Sequence, residues 1–244
     1  TNKKLFHKKD YIIFGILNIT PDSFSDGGDF VTEDSAFMKA KSMFNDGADY
    51  IDIGGESTRP GASLIKDSEE ILRVLPIIQK INNEKINISL DTRNSSTMKL
   101  GILSGVSIIN DVSALSNDKE SINVIKNYDI PIILMHMPGT PKNMMKKKYK
   151  NILLDLYDFL DDRINYCLNN GVKRKNIIID PGIGFGKDYK QNLTILKNIS
   201  IFHSLGCPIM LGVSRKRFIS SIIGEAEPKK RFPGSIAAAI NSFT

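Results

Sequence analysis

The sequence predicts an α/β protein, a parallel (β/α)8 barrel of the TIM type, on three observations. Short β-branched runs recur along the chain, stretches of helical spacing separate them, and the 244 residues are close to one such barrel of roughly 250. The runs are residues 11–17, 50–53, 86–90, 106–109, 130–135, 176–179 and 208–213. Continuous apolar runs suit strands buried on both faces, as parallel strands are. Between them, residues 33–46 follow a Thr32 cap, residues 67–81 set Ile71, Leu72, Leu75 and Ile78 on one stripe, and residues 153–168 repeat the period. Gly47 and Gly171 stand where helices should stop. Residues 234–243 read as the start of the seventh helix, capped by Ser235. An open doubly wound sheet uses the same alternation, but seven successive βα units fit a closed barrel better. No linker or low-complexity stretch divides the chain, so residues 1–244 are expected to form a single domain.

Composition narrows the class. Hydrophobic residues make up 41% and charged residues 25%, an ordinary globular balance that argues against disorder. Two cysteines, Cys167 and Cys207, build no disulfide framework and form no Cys-x-x-Cys, which favours a reducing compartment and a cytoplasmic location. No apolar run approaches the about 18 residues of a membrane span, and the chain reads as soluble. Net charge is +6, with a local run at Lys142, Lys146, Lys147, Lys148 and Lys150. Tyr149 is the only aromatic residue within that run, and no nucleic-acid motif accompanies it, so it reads as a solvated loop.

Polar residues follow almost every predicted strand at once. Asn18 follows the first, Gly54-Gly55-Glu56-Ser57-Thr58-Arg59 the second, Asp91-Thr92-Arg93 the third, and Asn110-Asp111 the fourth. His136 follows the fifth, Asp180 the sixth, and Ser214-Arg215-Lys216 the seventh. In a parallel barrel these ends share one rim, so residues distant in sequence converge on one mouth. Helix capping accounts for one or two of them, with Asp111 and Ser214 as candidates, but not for carboxylates, amides and cations recurring at the same topological point.

These residues carry a family resemblance. Gly15-Ile16-Leu17-Asn18-Ile19-Thr20-Pro21-Asp22-Ser23-Phe24-Ser25-Asp26-Gly27-Gly28 resembles the first signature of the dihydropteroate synthase family. Ile51-Asp52-Ile53-Gly54-Gly55-Glu56-Ser57-Thr58-Arg59-Pro60-Gly61 resembles its second. Ser89-Leu90-Asp91-Thr92, Ile109-Asn110-Asp111, Asp180-Pro181-Gly182-Ile183-Gly184-Phe185-Gly186-Lys187 and Ser214-Arg215-Lys216 are similar to later motifs in the same order. The likeness spans residues 12–239; the two long signatures are specific, the short ones weak alone.

The resemblance implies a (β/α)8 barrel, usually a homodimer, that condenses 6-hydroxymethyl-7,8-dihydropterin pyrophosphate with p-aminobenzoate. It implies 7,8-dihydropteroate and pyrophosphate as products, and sulfonamides as competitors of the amine. By the same resemblance Asp180 accepts the pterin's guanidine-like N–H edge in a fork, Asp91 and Asn110 meet other ring nitrogens, and Lys216 donates to acceptor atoms. Thr58, Met135, Phe185 and Gly212 complete the pterin side, although Met135 also reads as a core residue. Phe24, Thr58, Arg59, Pro60 and Arg217 form the p-aminobenzoate side. Asn18 is the implied ligand of a Mg2+ on the pyrophosphate, its amide oxygen suiting a hard cation that keeps most of its waters. Asp26, with Arg59 and Lys216, carries the implied catalytic roles, Asp26 by stabilising a cationic pterin electrostatically.

Other motifs fail. Gly182-Ile183-Gly184-Phe185-Gly186-Lys187 lacks the spacing of a phosphate loop, and Asp188 stands where Ser or Thr belongs. His7, His136 and His203 have no metal-ligand spacing; His136 is expected to line the mouth. Family members continue into an eighth strand ending in Arg-x-His, so that strand, its helix and both cations are expected to be missing from a sequence truncated after Thr244. Two other readings are a pterin-dependent corrinoid methyltransferase, which needs neither long signature, and a non-catalytic pterin-binding subunit.

Overall fold

The structure is a computed structural model that describes residues 11–20, 32–59, 61–225 and 227–242. Six strands are described: β1 (Phe14–Asn18), β2 (Tyr50–Gly54), β3 (Ile88–Asp91), β4 (Ile108–Asp111), β5 (Ile132–Met135) and β6 (Ile177–Asp180). Eight α-helices are described with them: α1 (Glu33–Asn45), α2 (Asp67–Asn83), α3 (Ser95–Leu103), α4 (Ser121–Tyr128), α5 (Ile152–Asn169), α6 (Tyr189–Lys197), α7 (Arg217–Ile223) and α8 (Phe232–Ile240). Strand order is sequence order, and every described ladder is parallel.

The chain divides into two compact units, one of Thr1–Ser57 with Leu64–Asn110 and one of Thr58–Ser63 with Asp111–Thr244. In the first, β1 to β4 pair in turn over a core of Leu17, Ile51, Ile53, Ile88, Leu90, Ile108 and Ile109, all fully buried. The sequence forms these strands because parallel strands bury both faces and β-branched side chains suit the pleat. Thr32 caps α1 as expected, its hydroxyl accepting the Ser35 N–H at 3.1 Å. The stripe expected on α2 is displaced. Val74, Ile77, Ile78 and Ile81 are buried, whereas Leu72 is 76% exposed, because the helix faces β2 and β3 about a quarter-turn from the predicted line.

A buried ion pair ties this unit together. Arg93 forks onto Glu56, Nε to Oε2 and Nη2 to Oε1, both at 3.0 Å, and both side chains are about 8% exposed. Glu56 Oε1 also accepts the Ile65 N–H, so one carboxylate fixes the loop after β2 to the loop after β3. Beside it, Glu70 is buried on α2 and accepts from Thr92, Asn94 and Thr97. Burial raises its pKa and those hydrogen bonds oppose the rise.

In the second unit β5 pairs with β6, and α5, α6, α7 and α8 pack in sequence. Residues 208–213, expected as a seventh strand, make only the start of a ladder. Pro208 O and the Met210 N–H bond Ile179 at 2.9 and 2.8 Å, leaving an isolated bridge at Ile209. Pairing ends there because the next residues turn toward residues 214–216, where the Lys216 N–H reaches Val213 O. The helix that follows is α7, which the sequence reading passes over. Of the residues 234–243 read as a helix start, 234–240 belong to a further helix that begins earlier, at Phe232, and Ser235 lies inside it, with Arg231 at its N-cap. Ser214 caps nothing either: Lys216 is the N-cap of α7. Asp111 accepts from the N–H groups of Ser113 and Leu115 and the Ser113 hydroxyl, so it organises a turn and not a helix start. No helix among the described residues is long and apolar enough to cross a membrane.

The Glu56–Arg93 pair sets a stability prediction. Arg93→Ala strands a buried carboxylate and should cost about 3–5 kcal/mol. Denaturant unfolding monitored by circular dichroism measures it, and a loss under about 1 kcal/mol would show the pair to be incidental.

Candidate active site

Four of the six described strands, β1, β2, β3 and β6, run one residue further than their apolar pattern. The first polar residue is thereby the last strand residue: Asn18, Gly54, Asp91 and Asp180 end β1, β2, β3 and β6. Ladder hydrogen bonds therefore hold these positions more rigidly than a loop would.

In the first unit, register lines them up. Asn18 stands opposite Gly54, Gly54 opposite Asp91, and Asp91 opposite Asn110. Residues level with one another in a parallel sheet project to the same face. Gly54 supplies the gap in that row. A Cβ there would lie 3.5 Å from Asn18 Oδ1 and from Asp91 Oδ2, so its absence leaves bare backbone between an amide and a carboxylate. Asn110 Nδ2 donates to Asp52 Oδ2 at 3.1 Å. Asp52 is buried two residues before Gly54, and this orients the Asn110 amide. The sequence reading gave Asp52 no role. Its signal was a carboxylate in phase with Gly54 on an otherwise apolar strand.

In the second unit Asp180 is buried, level with Met135 on β5. Its Oδ1 accepts the Gly182 N–H at 2.7 Å, starting the turn that carries residues 182–187. Gly182 is required there: φ is +68°, and a Cβ would fall 2.0 Å from His136 O. Met135 is buried in a cluster with Val112, Met137 and Met144, against which Phe185 packs. Lys216 donates to Ile183 O, and its Nζ lies 4.6 Å above the Phe185 ring. Gly212 keeps space beside it, a Cβ there falling 3.4 Å from Nζ. Burial lowers the Lys216 pKa to about 8 against the raising influence of Asp180. Burial likewise raises Asp180, opposed first by the Lys216 charge and then by the Gly182 N–H. As the N-cap of α7, Lys216 is a cation where the helix dipole disfavours one, and its ammonium turns to a carbonyl and a ring face instead.

Lys187 ends the glycine-rich stretch that fails as a phosphate loop. It is 4% exposed, and its ammonium donates to Gly182 O, Phe185 O and His136 Nδ1 at 2.8–3.0 Å, with His136 O at 3.3 Å. This side chain closes residues 182–187 into a fixed loop; burial lowers its pKa well below the usual lysine value, against the raising influence of Asp180. His136, expected at the mouth, is instead buried beneath that loop. Burial first, then the Lys187 charge, depresses its pKa to about 2, so it stays neutral and accepts from Lys187. Asp188, standing where a phosphate loop has Ser or Thr, forms a capping box with Gln191 at the start of α6.

Thr58 is partly buried and Arg59 exposed; the Arg59 carbonyl accepts from Ala62, and the Gly61 N–H donates to Pro141 O at 3.0 Å. Arg217 is exposed on the first turn of α7. Phe24, Asp26 and Pro60 lie outside the described residues. No group of three or more His, Cys, Asp or Glu side chains among the described residues could hold a metal.

The family described as "Pterin binding enzyme" matches residues 14–243. The dihydropteroate synthase of Bacillus subtilis is 42% identical over 232 residues, 95% of this chain and 79% of that protein. Among solved structures, Xanthomonas albilineans dihydropteroate synthase with 4-aminobenzoic acid superposes with a TM-score of 0.89 at 36% identity, covering 95% of this chain and 83% of that one. The enzyme from Clostridium difficile, solved in the presence of pteroic acid, gives 0.87 at 44% identity over 96% and 88%. Those enzymes have the (β/α)8 fold expected from the sequence. The chain belongs to the pterin-binding enzyme family.

Proposed function

We propose that the chain condenses 6-hydroxymethyl-7,8-dihydropterin pyrophosphate with 4-aminobenzoate, giving 7,8-dihydropteroate and pyrophosphate in folate biosynthesis. What supports this most is a single feature: a buried carboxylate, Asp180, ending a strand beside a partly buried ammonium, Lys216, in a chain 42% identical to a dihydropteroate synthase. A pterin edge offers adjacent N–H donors and, next to them, acceptor atoms. A carboxylate takes the donors in a fork, and an ammonium serves the acceptors.

The remaining residues take the following roles. Asp91 and Asn110 meet further ring nitrogens, with Asp52 orienting the amide. Met135 packs under Phe185, whose ring carries the Lys216 charge, and Gly212 leaves room for ligand beside that charge. Thr58, Arg59 and Arg217 serve the amine side together with Phe24 and Pro60, and sulfonamides, found on a solved relative from Yersinia pestis, would compete there. Loss of pyrophosphate leaves positive charge on the exocyclic methylene, which Asp26 stabilises before the aromatic amine attacks. Asn18 suits Mg2+: a single exposed amide oxygen, with no cluster of carboxylates among the described residues, fits a hard cation held mainly by waters and phosphate oxygens. Held there, Mg2+ would supply charge neutralisation for the departing pyrophosphate. We also assign the chain to the cytoplasm, in keeping with two buried cysteines that form no disulfide. A homodimer is assigned with it, for which Ile222, Ile223, Phe232, Ile236 and Ile240 on α7 and α8 supply exposed apolar surface.

Pyrophosphate release from the pterin substrate should depend on added 4-aminobenzoate; release indifferent to the amine would overturn the reading. Pterin binding should also follow Lys216. The group is charged below its pKa of about 8, and a charged donor favours the ligand, so affinity is full below that pH and falls as pH rises through it. Calorimetric titration with 7,8-dihydropteroate between pH 7 and pH 9.5 measures this. Lys216→Arg, charged throughout, should flatten the profile, and an unchanged alkaline limb in that variant would remove Lys216 as its source.

A further inference from the structure

Arg231, the N-cap of α8, and Ser235, within α8, both close on the residue preceding Lys216. Arg215 has φ +54°, a left-handed conformation that a non-glycine residue holds only when its surroundings enforce it. Its N–H donates to Ser235 Oγ at 2.8 Å, and its carbonyl accepts from Arg231 Nη1 at 3.1 Å. Ser235 directs its own proton to Arg231 O at 3.0 Å, which leaves an oxygen lone pair for the Arg215 N–H. Both side chains belong to residues about 8% exposed, whereas Arg215 itself is exposed. The turn is thus held from the inside. Gly234 brings α8 close enough to do this, since a Cβ there would lie 2.4 Å from Ile219 Cγ2 on α7.

We propose that Ser235 and Arg231 are positioning residues for Lys216, holding Arg215 left-handed so that the next side chain is aimed at Ile183 O and the Phe185 ring. Without the two contacts Arg215 relaxes to negative φ. The chain direction into α7 then changes, and the ammonium swings away from the loop that follows Asp180. The ligand consequence rests on the pterin-binding reading above, so the test separates the two.

Calorimetric titration of 7,8-dihydropteroate compares the whole chain with Ser235→Ala, Arg215→Gly and the double variant, alongside amide hydrogen exchange of residues 214–217 without ligand. Ser235→Ala should bind about tenfold more weakly, the worth of one hydrogen bond. In the Arg215→Gly background the same substitution should matter less than about threefold, because glycine takes positive φ unaided. Exchange should quicken in Ser235→Ala and return toward the Arg215→Gly rate in the double variant. Equal losses in both backgrounds, or no loss in Ser235→Ala, would overturn the proposal. Should Ser235→Ala fail to fold, the comparison of Arg215→Gly with the double variant still decides, a tenfold gap between them being fatal. Failure of the unaltered chain to bind strikes the functional reading, and the exchange cycle then judges the pin alone.

Discussion

Taking a carboxylate and an ammonium out of water at the end of a parallel strand is costly, and much of the second unit is arranged around that cost. Asp180 and Lys216 are each pushed toward neutrality by burial, and each is pulled back by the other's charge. The Gly182 N–H completes the carboxylate side, and the Ile183 carbonyl with the Phe185 ring completes the ammonium side. Lys187 holds these loop atoms in place from beneath, with His136 kept neutral to receive it. A loop fixed from below before any ligand arrives has little left to reorganise on binding.

The first unit reaches a similar end by register. Four parallel strands set Asn18, Gly54, Asp91 and Asn110 level, and the missing side chain at Gly54 keeps the row open. The buried Glu56–Arg93 fork ties the loops leaving two of those strands, so the polar row rises from a braced base. Ring recognition needs donors and acceptors fixed to within fractions of an ångström, which strand ends provide and long loops do not.

Much of this was legible in the residues. Continuous apolar runs gave β1 to β6, because parallel strands must be apolar on both faces; Thr32 gave its helix start through hydroxyl chemistry that acts locally. Polar residues ending one strand after another located the candidate site. What failed depended on tertiary packing. Residues 208–213 have a strand's composition but pair only at Ile209, and composition does not report where a partner ends. Leu72 fits a helical stripe, but which side of that stripe meets the sheet is decided by packing. Ser235 looks like a cap by type, although its hydroxyl is used by Arg215, 20 residues earlier. Lys187 was discounted because its motif lacked a known spacing, and no local pattern shows that three carbonyls and a ring nitrogen surround it.

The account stands most directly on Asp180 as an ionised acceptor for a planar ring's N–H edge. Affinity for 7,8-dihydropteroate, measured by calorimetry on the folded Asp180→Asn variant at neutral pH, tests it. The amide preserves shape but replaces an acceptor by a donor, so binding should weaken by about 1–3 kcal/mol or more. Unaltered affinity in a variant that melts like the parent would contradict the assignment.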